Sequence, residues 1–304
     1  MRIFFLFPLL FSLTTYAQSS KDSLRKHVVK LSGQTFSRSA EHLDYLNRAA
    51  DYIRDNFLRY SKRVLFQKYE LEHVLFKNVI ASVGPDTGMR IIVGANYDVA
   101  GDSPGADANA SGVAGLIELS RLLSKIKNLP YRVDLIAYTL GDNNNVKAEN
   151  RGSYMHAKSL KDFDIKVLGM LSLQGIGFFT DVPHSQQYPF LYYKWLHGNR
   201  GNFIGLYLQK PGGFFQGQIR RMFRQYVKGL KVIAFKPLIR LNKLSEGDHN
   251  SYAAMGYTTV KITNTNSFRN KYYHYDVDTY ETLDYNRMSS VVNMIYETLI
   301  RYKQ

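Results

Sequence analysis

The chain has 304 residues, of which 45% are hydrophobic, and this is enough to bury a sizeable core. It contains no cysteine, which excludes disulfide bonds, thiol catalysis, thiolate zinc sites and a lipid-modified cysteine anchor. The formal net charge of +15 favours an anionic partner surface, although an ordinary solvated basic surface also explains it.

The N-terminus has the pattern of a secretory signal peptide. Arg2 provides a positive charge, residues 3–13 are mostly apolar, and a polar stretch ends at the small residue Ala17. We expect cleavage near Ala17, which leaves residues 18–304 as a single α/β domain. The apolar run is too short to span a bilayer, and no later segment is long enough. The sequence therefore predicts a secreted or periplasmic protein without a transmembrane segment.

Two early segments predict a helix and a pair of strands. Apolar residues recur at helical spacing from Ser39 to Phe57, and Ser39 has the chemistry of an N-cap. Apolar runs at 78–83 and 90–94 flank the turn residues 84–88, a pattern that is typical of a hairpin.

The rest of the chain alternates predicted strands and helices. In chain order, the predicted elements are helix 111–126, strand 132–140, helix 154–160, strand 166–173, strand 202–208, a helix around 219–227, strands 231–235 and 258–263, and helix 288–302. Polar loops follow several of the strands. This alternation predicts an α/β three-layer sandwich in which a central mixed, mostly parallel sheet is flanked by helices.

The helix around 219–227 has one strongly basic face, formed by Arg220, Arg221, Arg224 and Lys228. Such a face is compatible with an anionic surface as partner, but without an interleaved Trp or surplus apolar residues we favour an ordinary solvated helix face. It does not indicate a specific nucleic-acid partner.

Several motifs lie at strand ends, where α/β proteins place their ligands. In chain order they are NVIA (78–81), VGANYD (93–98), PGADANASGVAGLIEL (104–119), AYTLGD (137–142), GSY (152–154), LQGIG (173–177), GDH (247–249) and YHYDVDTYETLDY (273–285). Through these motifs the chain resembles the secreted co-catalytic zinc aminopeptidases, which include bacterial leucyl aminopeptidases. Glutaminyl cyclases and the transferrin receptor ectodomain share that fold. The resemblance extends from about Ser39 to Tyr302.

The resemblance implies two zinc ions held by five side chains, with a bridging carboxylate and a glutamate that acts as general base. This chain departs from that pattern at most positions. Asn96 stands where the family has a histidine, Ala108 replaces the bridging carboxylate, and Gln174 replaces the third carboxylate ligand. Gly141 occupies the position of the general base, so we expect no catalytic residue there.

Two residual metal candidates remain. Asp142 occupies the position of the family's ligand glutamate, and its side chain is one methylene group shorter. His274 matches the last ligand. With so little negative charge left to compensate a dication, we expect no cofactor, with a weakly held or single zinc ion as the alternative. Residues expected to line the pocket are Tyr97, Asp98, Asp107, Asp248 and His249.

The sequence thus predicts an exported peptidase-fold protein that is catalytically inactive and acts as a binding module for a peptide or glycan. One alternative is a metal-dependent aminopeptidase or amide hydrolase with a degenerate site that holds one metal. Another is an envelope protein that binds polyanions. Glutaminyl cyclisation ranks below these, because it requires the carboxylate that Ala108 lacks.

Overall fold

One eight-stranded sheet forms the centre of the protein. In the computed structural model, residues 18–143, 145–209, 213–226, 229–235 and 246–303 are described. The strands are β1 (Arg63–Leu71), β2 (Val74–Val83), β3 (Arg90–Asn96), β4 (Arg132–Tyr138), β5 (Val167–Leu173), β6 (Phe203–Leu208), β7 (Lys231–Phe235) and β8 (Thr259–Thr263). Their order across the sheet is β1-β2-β4-β3-β5-β8-β6-β7. Four of the strand pairs are parallel and three are antiparallel, so the predicted mixed, mostly parallel sheet is confirmed.

Helices cover both faces of this sheet. They are α1 (Lys21–Ser32), α2 (Leu43–Leu58), α3 (Ser111–Leu123), α4 (Gly152–Asp162), α5 (Leu191–His197), α6 (Phe214–Tyr226), α7 (His249–Ala254) and α8 (Tyr285–Arg301). The largest core joins α1, α2, α3, α6 and α8 to one face. On the other face, α4 and α7 contribute to a second core, and α5 contributes to a third. The three-layer architecture predicted from the sequence is confirmed.

The direction of the central strands determines where polar loops can meet. The neighbouring strands β4, β3, β5 and β8 all run parallel, so their carboxyl ends lie at one edge of the sheet. The loops that follow Asn96, Tyr138, Leu173 and Thr263 therefore converge there. Most of the residues singled out by the sequence lie on these loops.

The predicted hairpin between residues 78–83 and 90–94 is wrong. β2 pairs antiparallel with β1, through a turn between Leu71 and Val74, and its other neighbour is β4. β4 is inserted between β2 and β3, and its residues 133–137 are buried. A turn signal shows that the chain changes direction, but it does not show which strand becomes the neighbour.

The predicted N-cap at Ser39 is also wrong. α2 begins at Leu43, and His42 precedes it without a side-chain cap. Ser39 is buried in the turn before the helix, where its hydroxyl accepts a hydrogen bond from the Ser37 hydroxyl at 3.1 Å. Among the described residues, no helix is long and apolar enough to cross a membrane. The predicted signal peptide and Lys228 lie outside the described residues.

Candidate functional site

A chain of amide hydrogen bonds lies at the carboxyl end of β3. Asn96 is buried there, and its Nδ2 donates to the Asp98 carbonyl oxygen at 3.1 Å. Its Oδ1 accepts from Asn109 Nδ2 at 3.0 Å, and the same Nδ2 donates to the Leu173 carbonyl oxygen at 2.8 Å. Asn109 Oδ1 accepts from the Gly175 N–H at 3.1 Å. The Asn96 amide thus belongs to a network that ties three loops together.

Asp98 fixes the loop that follows β4. Its two carboxylate oxygens accept hydrogen bonds from the N–H groups of Gly141 at 2.9 Å and Asp142 at 3.0 Å. The side chain is completely buried, and burial raises the pKa of the Asp98 carboxyl although these hydrogen bonds oppose the shift. Asp98 therefore holds residues 141 and 142 close to the end of β3.

Gly141 lies too close to Asn96 to carry a side chain in this backbone conformation. A Cβ atom placed on Gly141 would be 2.4 Å from Asn96 Cβ and 3.2 Å from Asp248 Oδ1. The first of these separations is far below van der Waals contact. Residue 141, which aligns with the general base of the family, thus has no room for a side chain.

The structure brings together Asp142 and His274, the two residual metal candidates of the sequence analysis. His274 Nδ1 lies 3.4 Å from Asp142 Oδ2, without the alignment of a hydrogen bond. Burial raises the pKa of Asp142 well above its usual range, and the nearby carboxylates of Asp98 and Asp248 add to this effect. Burial lowers the pKa of His274, whose side chain is 36% exposed. The lowered pKa of His274 favours a neutral imidazole, and the raised pKa of Asp142 favours a neutral carboxyl group.

Four buried polar atoms near these residues have no hydrogen-bond partner within the described part of the protein: Asp142 Oδ2, Gln174 Oε1, Asp248 Oδ1 and Tyr273 Oη. Their residues are nearly closed to solvent, with exposed fractions of 8% for Asp142, 9% for Gln174 and 6% for Asp248. Burial, together with the charge of Asp98, raises the pKa of Asp248 to about 7. A buried polar group without a partner is costly, so these atoms are candidate contacts for a polar ligand or for water.

We refer to Asn96, Asp98, Gly141, Asp142, Gln174, Asp248 and His274 as the strand-end cluster. Gln174 joins it through the loop before α7, because a Cβ atom on Gly247 would lie 2.3 Å from Gln174 Oε1. Asp248 follows directly and faces Gly141. The cluster thus unites the loops after β3, β4 and β5 with the segment before α7.

His249 and Lys261 lie fully buried beside the cluster. The His249 ring packs edge-on against Tyr207 at 5.6 Å, and neither of its nitrogens has a hydrogen-bond partner among the described residues. Burial, with the charge of Lys261, lowers the pKa of His249 well below its usual range. Lys261 Nζ donates to the Glu246 carbonyl oxygen at 2.6 Å, and burial lowers its pKa to about 7. His249 thus contributes a neutral ring to the interior.

Asp107 is engaged outside the cluster. Its Oδ1 accepts from the N–H groups of Gly177 and Phe178 at 3.0 and 3.1 Å, and its Oδ2 accepts from Asn264 at 2.7 Å and Asn270 at 3.1 Å. Through these bonds the fully buried carboxylate of Asp107 holds the neighbouring loops in place.

Ala108 presents a buried methyl group, and its backbone is held by Asp278. The two Asp278 oxygens accept from the N–H groups of Asp107 and Ala108, each at 3.0 Å. Tyr97 is buried as well, and its hydroxyl donates to the Lys77 carbonyl oxygen of β2 at 2.8 Å. These residues position the loop after β3.

The residues present do not fit a two-zinc site. Asn96 offers an amide that is already hydrogen-bonded, Ala108 offers no ligand atom, and Gln174 is neutral. Only Asp142 and His274 keep ligand chemistry, and zinc sites in proteins use at least three protein ligands. Within the described ranges, no group of three or more histidine, aspartate or glutamate residues is arranged to hold a metal ion.

No site role was predicted from sequence for several residues that shape this region, among them Asn109, Tyr273, Lys261 and Asp278. Asn109, Tyr273 and Asp278 do lie inside quoted motifs, so their polar groups were a usable signal, whereas Lys261 lies in none of the motifs. Arg38 was also missed. It is a buried arginine before α2, and no motif surrounds it.

The sequence profile of peptidase family M28 matches residues 78–172, which include β2 to β5 and the loops of Asn96, Ala108 and Gly141. The chain is also 34% identical, over 303 aligned residues, to the protein of Escherichia coli K12 called uncharacterized protein YfbL. That alignment covers 95% of this chain and 91% of the relative.

Solved structures share the fold at low identity. The LapA aminopeptidase of Legionella pneumophila superposes with a TM-score of 0.73 at 16% identity, covering 92% of this chain and 71% of that one. The glutaminyl cyclase of Porphyromonas gingivalis superposes with a TM-score of 0.68 at 18% identity, covering 92% of this chain and 98% of that one. At these identities, the similarity establishes the fold alone.

Proposed function

The chain belongs to peptidase family M28, and we propose that it is an exported member that has lost hydrolysis and keeps the strand-end cluster as a binding site. The observation that carries this proposal is the contact between Asn96 and Gly141. A Cβ atom on residue 141 would lie 2.4 Å from Asn96 Cβ, so no side chain can act as general base from that position. Loss of general acid–base chemistry alone removes about 10²–10⁴-fold of rate.

The remaining chemistry of the cluster supports binding. Asp142, Gln174 and Asp248 each have a buried oxygen atom without a partner among the described residues, and the Tyr273 hydroxyl is a fourth such atom. A ligand with hydrogen-bond donors and acceptors satisfies these groups, and the exposed side chain of His274 connects the region to solvent. Peptides and glycans both carry such donors, and we propose one of them as the ligand.

The contact between Asp142 and His274 supports one alternative, a hydrolase with a single metal ion. The two side chains lie 3.4 Å apart and have the chemistry of zinc ligands. This alternative requires a third ligand from outside the described residues or from the substrate.

Metal analysis and an activity assay separate the two functions. The chain from Gln18 onward is purified without chelator, its metal content is measured, and hydrolysis of aminoacyl anilides is followed with added Zn²⁺, Mn²⁺ or Co²⁺. We expect substoichiometric metal and no chelator-sensitive turnover. Stoichiometric zinc, or turnover that a chelator abolishes, overturns the inactive assignment. Loss of that turnover in both Asp142→Asn and His274→Gln then establishes the single-metal hydrolase.

The binding role has its own test. Thermal unfolding is measured with short peptides, free or acetylated at the N-terminus, and with short oligosaccharides. A ligand that binds the folded state raises the midpoint of unfolding, and Gln174→Ala should reduce this shift. Asn145→Ala, at an exposed position on the loop after β4, serves as the control. Failure of both ligand classes to shift the midpoint contradicts the binding role.

A further inference from the structure

The short helix α5 exposes a group of large apolar side chains. Leu191 and Trp195 are four residues apart, on the same side of the helix, and are 85% and 87% exposed. Tyr192 and Leu196 extend this surface, and Phe190 precedes it. We call these five residues the α5 apolar face. Trp195 is the single tryptophan of the chain.

The opposite side of α5 is firmly packed, so the exposure does not result from a loosely placed helix. Tyr193 is buried, stacks on Tyr188 at 6.1 Å and packs edge-on against Phe235 at 5.5 Å. At the carboxyl end of the helix, Lys231 Nζ donates to the His197 carbonyl oxygen at 2.9 Å. The fold therefore holds the α5 apolar face outward.

The part of the sequence that contains α5 is rich in cations. From Val182 to Ser245 the sequence contains eleven lysine and arginine residues and neither aspartate nor glutamate. Among the described residues, five of these cations are exposed: Arg221 and Arg224 lie on α6, whereas Lys194, Arg200 and Lys231 lie on or next to α5. The apolar side chains of α5 thus lie among exposed cations, and the exposed carboxylate of Asp181, near Arg200, is already paired with Arg287.

We propose that α5 docks the protein on the surface of an anionic phospholipid bilayer. Leu191 and Leu196 would enter the boundary of the acyl chains, while Trp195 and Tyr192 would occupy the interfacial layer that such side chains prefer. Lys194, Arg200 and Lys231 would pair with the lipid phosphates.

The shape and chemistry of the face favour lipid over other anionic partners. A bilayer deforms around a protruding side chain, whereas a protein partner would need a matching groove. A nucleic acid or an acidic glycan could pair with the three cations but would leave Leu191 and Leu196 in water. The proposal concerns a surface distinct from the strand-end cluster and does not depend on the proposed function.

The single tryptophan provides a direct test, because all tryptophan emission comes from Trp195. The chain from Gln18 onward, which includes every described strand and helix, is mixed with vesicles of phosphatidylcholine alone or with added phosphatidylglycerol. We expect a blue shift with the anionic vesicles and quenching by lipids brominated on their acyl chains. High salt should weaken the binding. Unchanged emission with anionic vesicles overturns the proposal, even if the protein sediments with them.

Variants sharpen the test. Leu191→Ser combined with Leu196→Ser should lower the vesicle partition coefficient about tenfold or more, since two buried leucines are lost. Phe163→Ser is the matched control, because Phe163 is 77% exposed at the end of α4, far from α5 in sequence. Equal weakening by the control overturns the proposal. A blue shift that depends on protein concentration and needs no vesicles also overturns it and identifies a second copy of the chain as the partner.

Discussion

The side chain of Asn96 lies against Gly141 so closely that a Cβ atom on residue 141 would be 2.4 Å from Asn96 Cβ and 3.1 Å from its Cγ. We therefore expect Gly141→Ala to destabilise the protein by about 1–3 kcal/mol, the usual cost of overpacking a buried site. Urea unfolding of the purified variant measures this change in free energy.

The closest contact is to the Cβ of Asn96, which gives a matched pair of controls. Asn96→Ala keeps that atom and should leave most of the cost of Gly141→Ala in place, whereas Asn96→Gly removes it and should relieve the cost. A double-mutant cycle isolates this coupling from the lost Asn96 hydrogen bonds. A Gly141→Ala variant as stable as the parent would show that the loop after β4 moves freely away from Asn96.

A second prediction concerns Asp107, whose Oδ2 accepts hydrogen bonds from the side-chain amides of Asn264 and Asn270. Asp107→Asn would lose the carboxylate, and in either amide orientation one set of partners would face an NH₂ group. We expect destabilisation of about 2–4 kcal/mol, as when buried charge-assisted hydrogen bonds are lost. Chemical unfolding provides the measurement.

Asn264→Asp tests the geometry behind that prediction. In the single variant two carboxylates would face each other, and it should destabilise the protein. In combination with Asp107→Asn, the new amide can donate to the new carboxylate, so the double variant should be more stable than the sum of the two single effects. Simple additivity would show that the two side chains do not interact.

The convergence of Asn96, Gly141 and Gln174 could be predicted from sequence, because each lies at or just after the end of a buried strand and parallel strands end at one edge of the sheet. The distances between these residues could not be predicted from sequence. The crowding of Gly141 against Asn96 depends on a few tenths of an ångström in two backbones. The neighbour of β2 was mispredicted because β4, 50 residues later, is inserted beside it.

Two other features differ in how far they could be foreseen. α1 was not predicted, although Leu24, Val28 and Leu31 recur at helical spacing and are buried. Its pattern was a usable signal. Arg38 gave no such signal in the sequence, because arginine is rarely buried. Its position is explained only by the arrangement of backbone carbonyl groups around it in the fold.

The third prediction concerns this Arg38 side chain. Its guanidinium donates to four backbone carbonyl oxygens, those of Leu31, Tyr97, Pro104 and Gly105. Arg38→Lys would replace a planar fork by a single ammonium group that cannot reach all four. We expect a loss of about 2–4 kcal/mol of stability, because buried carbonyl groups lose their partners. Arg59→Lys, at an exposed position after α2, is the control and should change thermal stability little. Equal stability of both variants would contradict the organising role of Arg38.

The last prediction is a dependence of stability on pH at His156. Burial lowers the pKa of His156 to about 4, while an unfolded histidine has a pKa of 6.5. The unfolded state therefore binds more protons between these values, so stability falls as the pH falls from 6.5 to 4, by roughly 3 kcal/mol from this residue. His156→Gln keeps a partner for the Tyr252 hydroxyl and should remove that part of the acid sensitivity. Carboxyls with raised pKa values, such as Asp248, act in the opposite direction but equally in both proteins, so they cancel in the comparison. Parallel curves of unfolding free energy against pH for parent and variant would contradict the assignment.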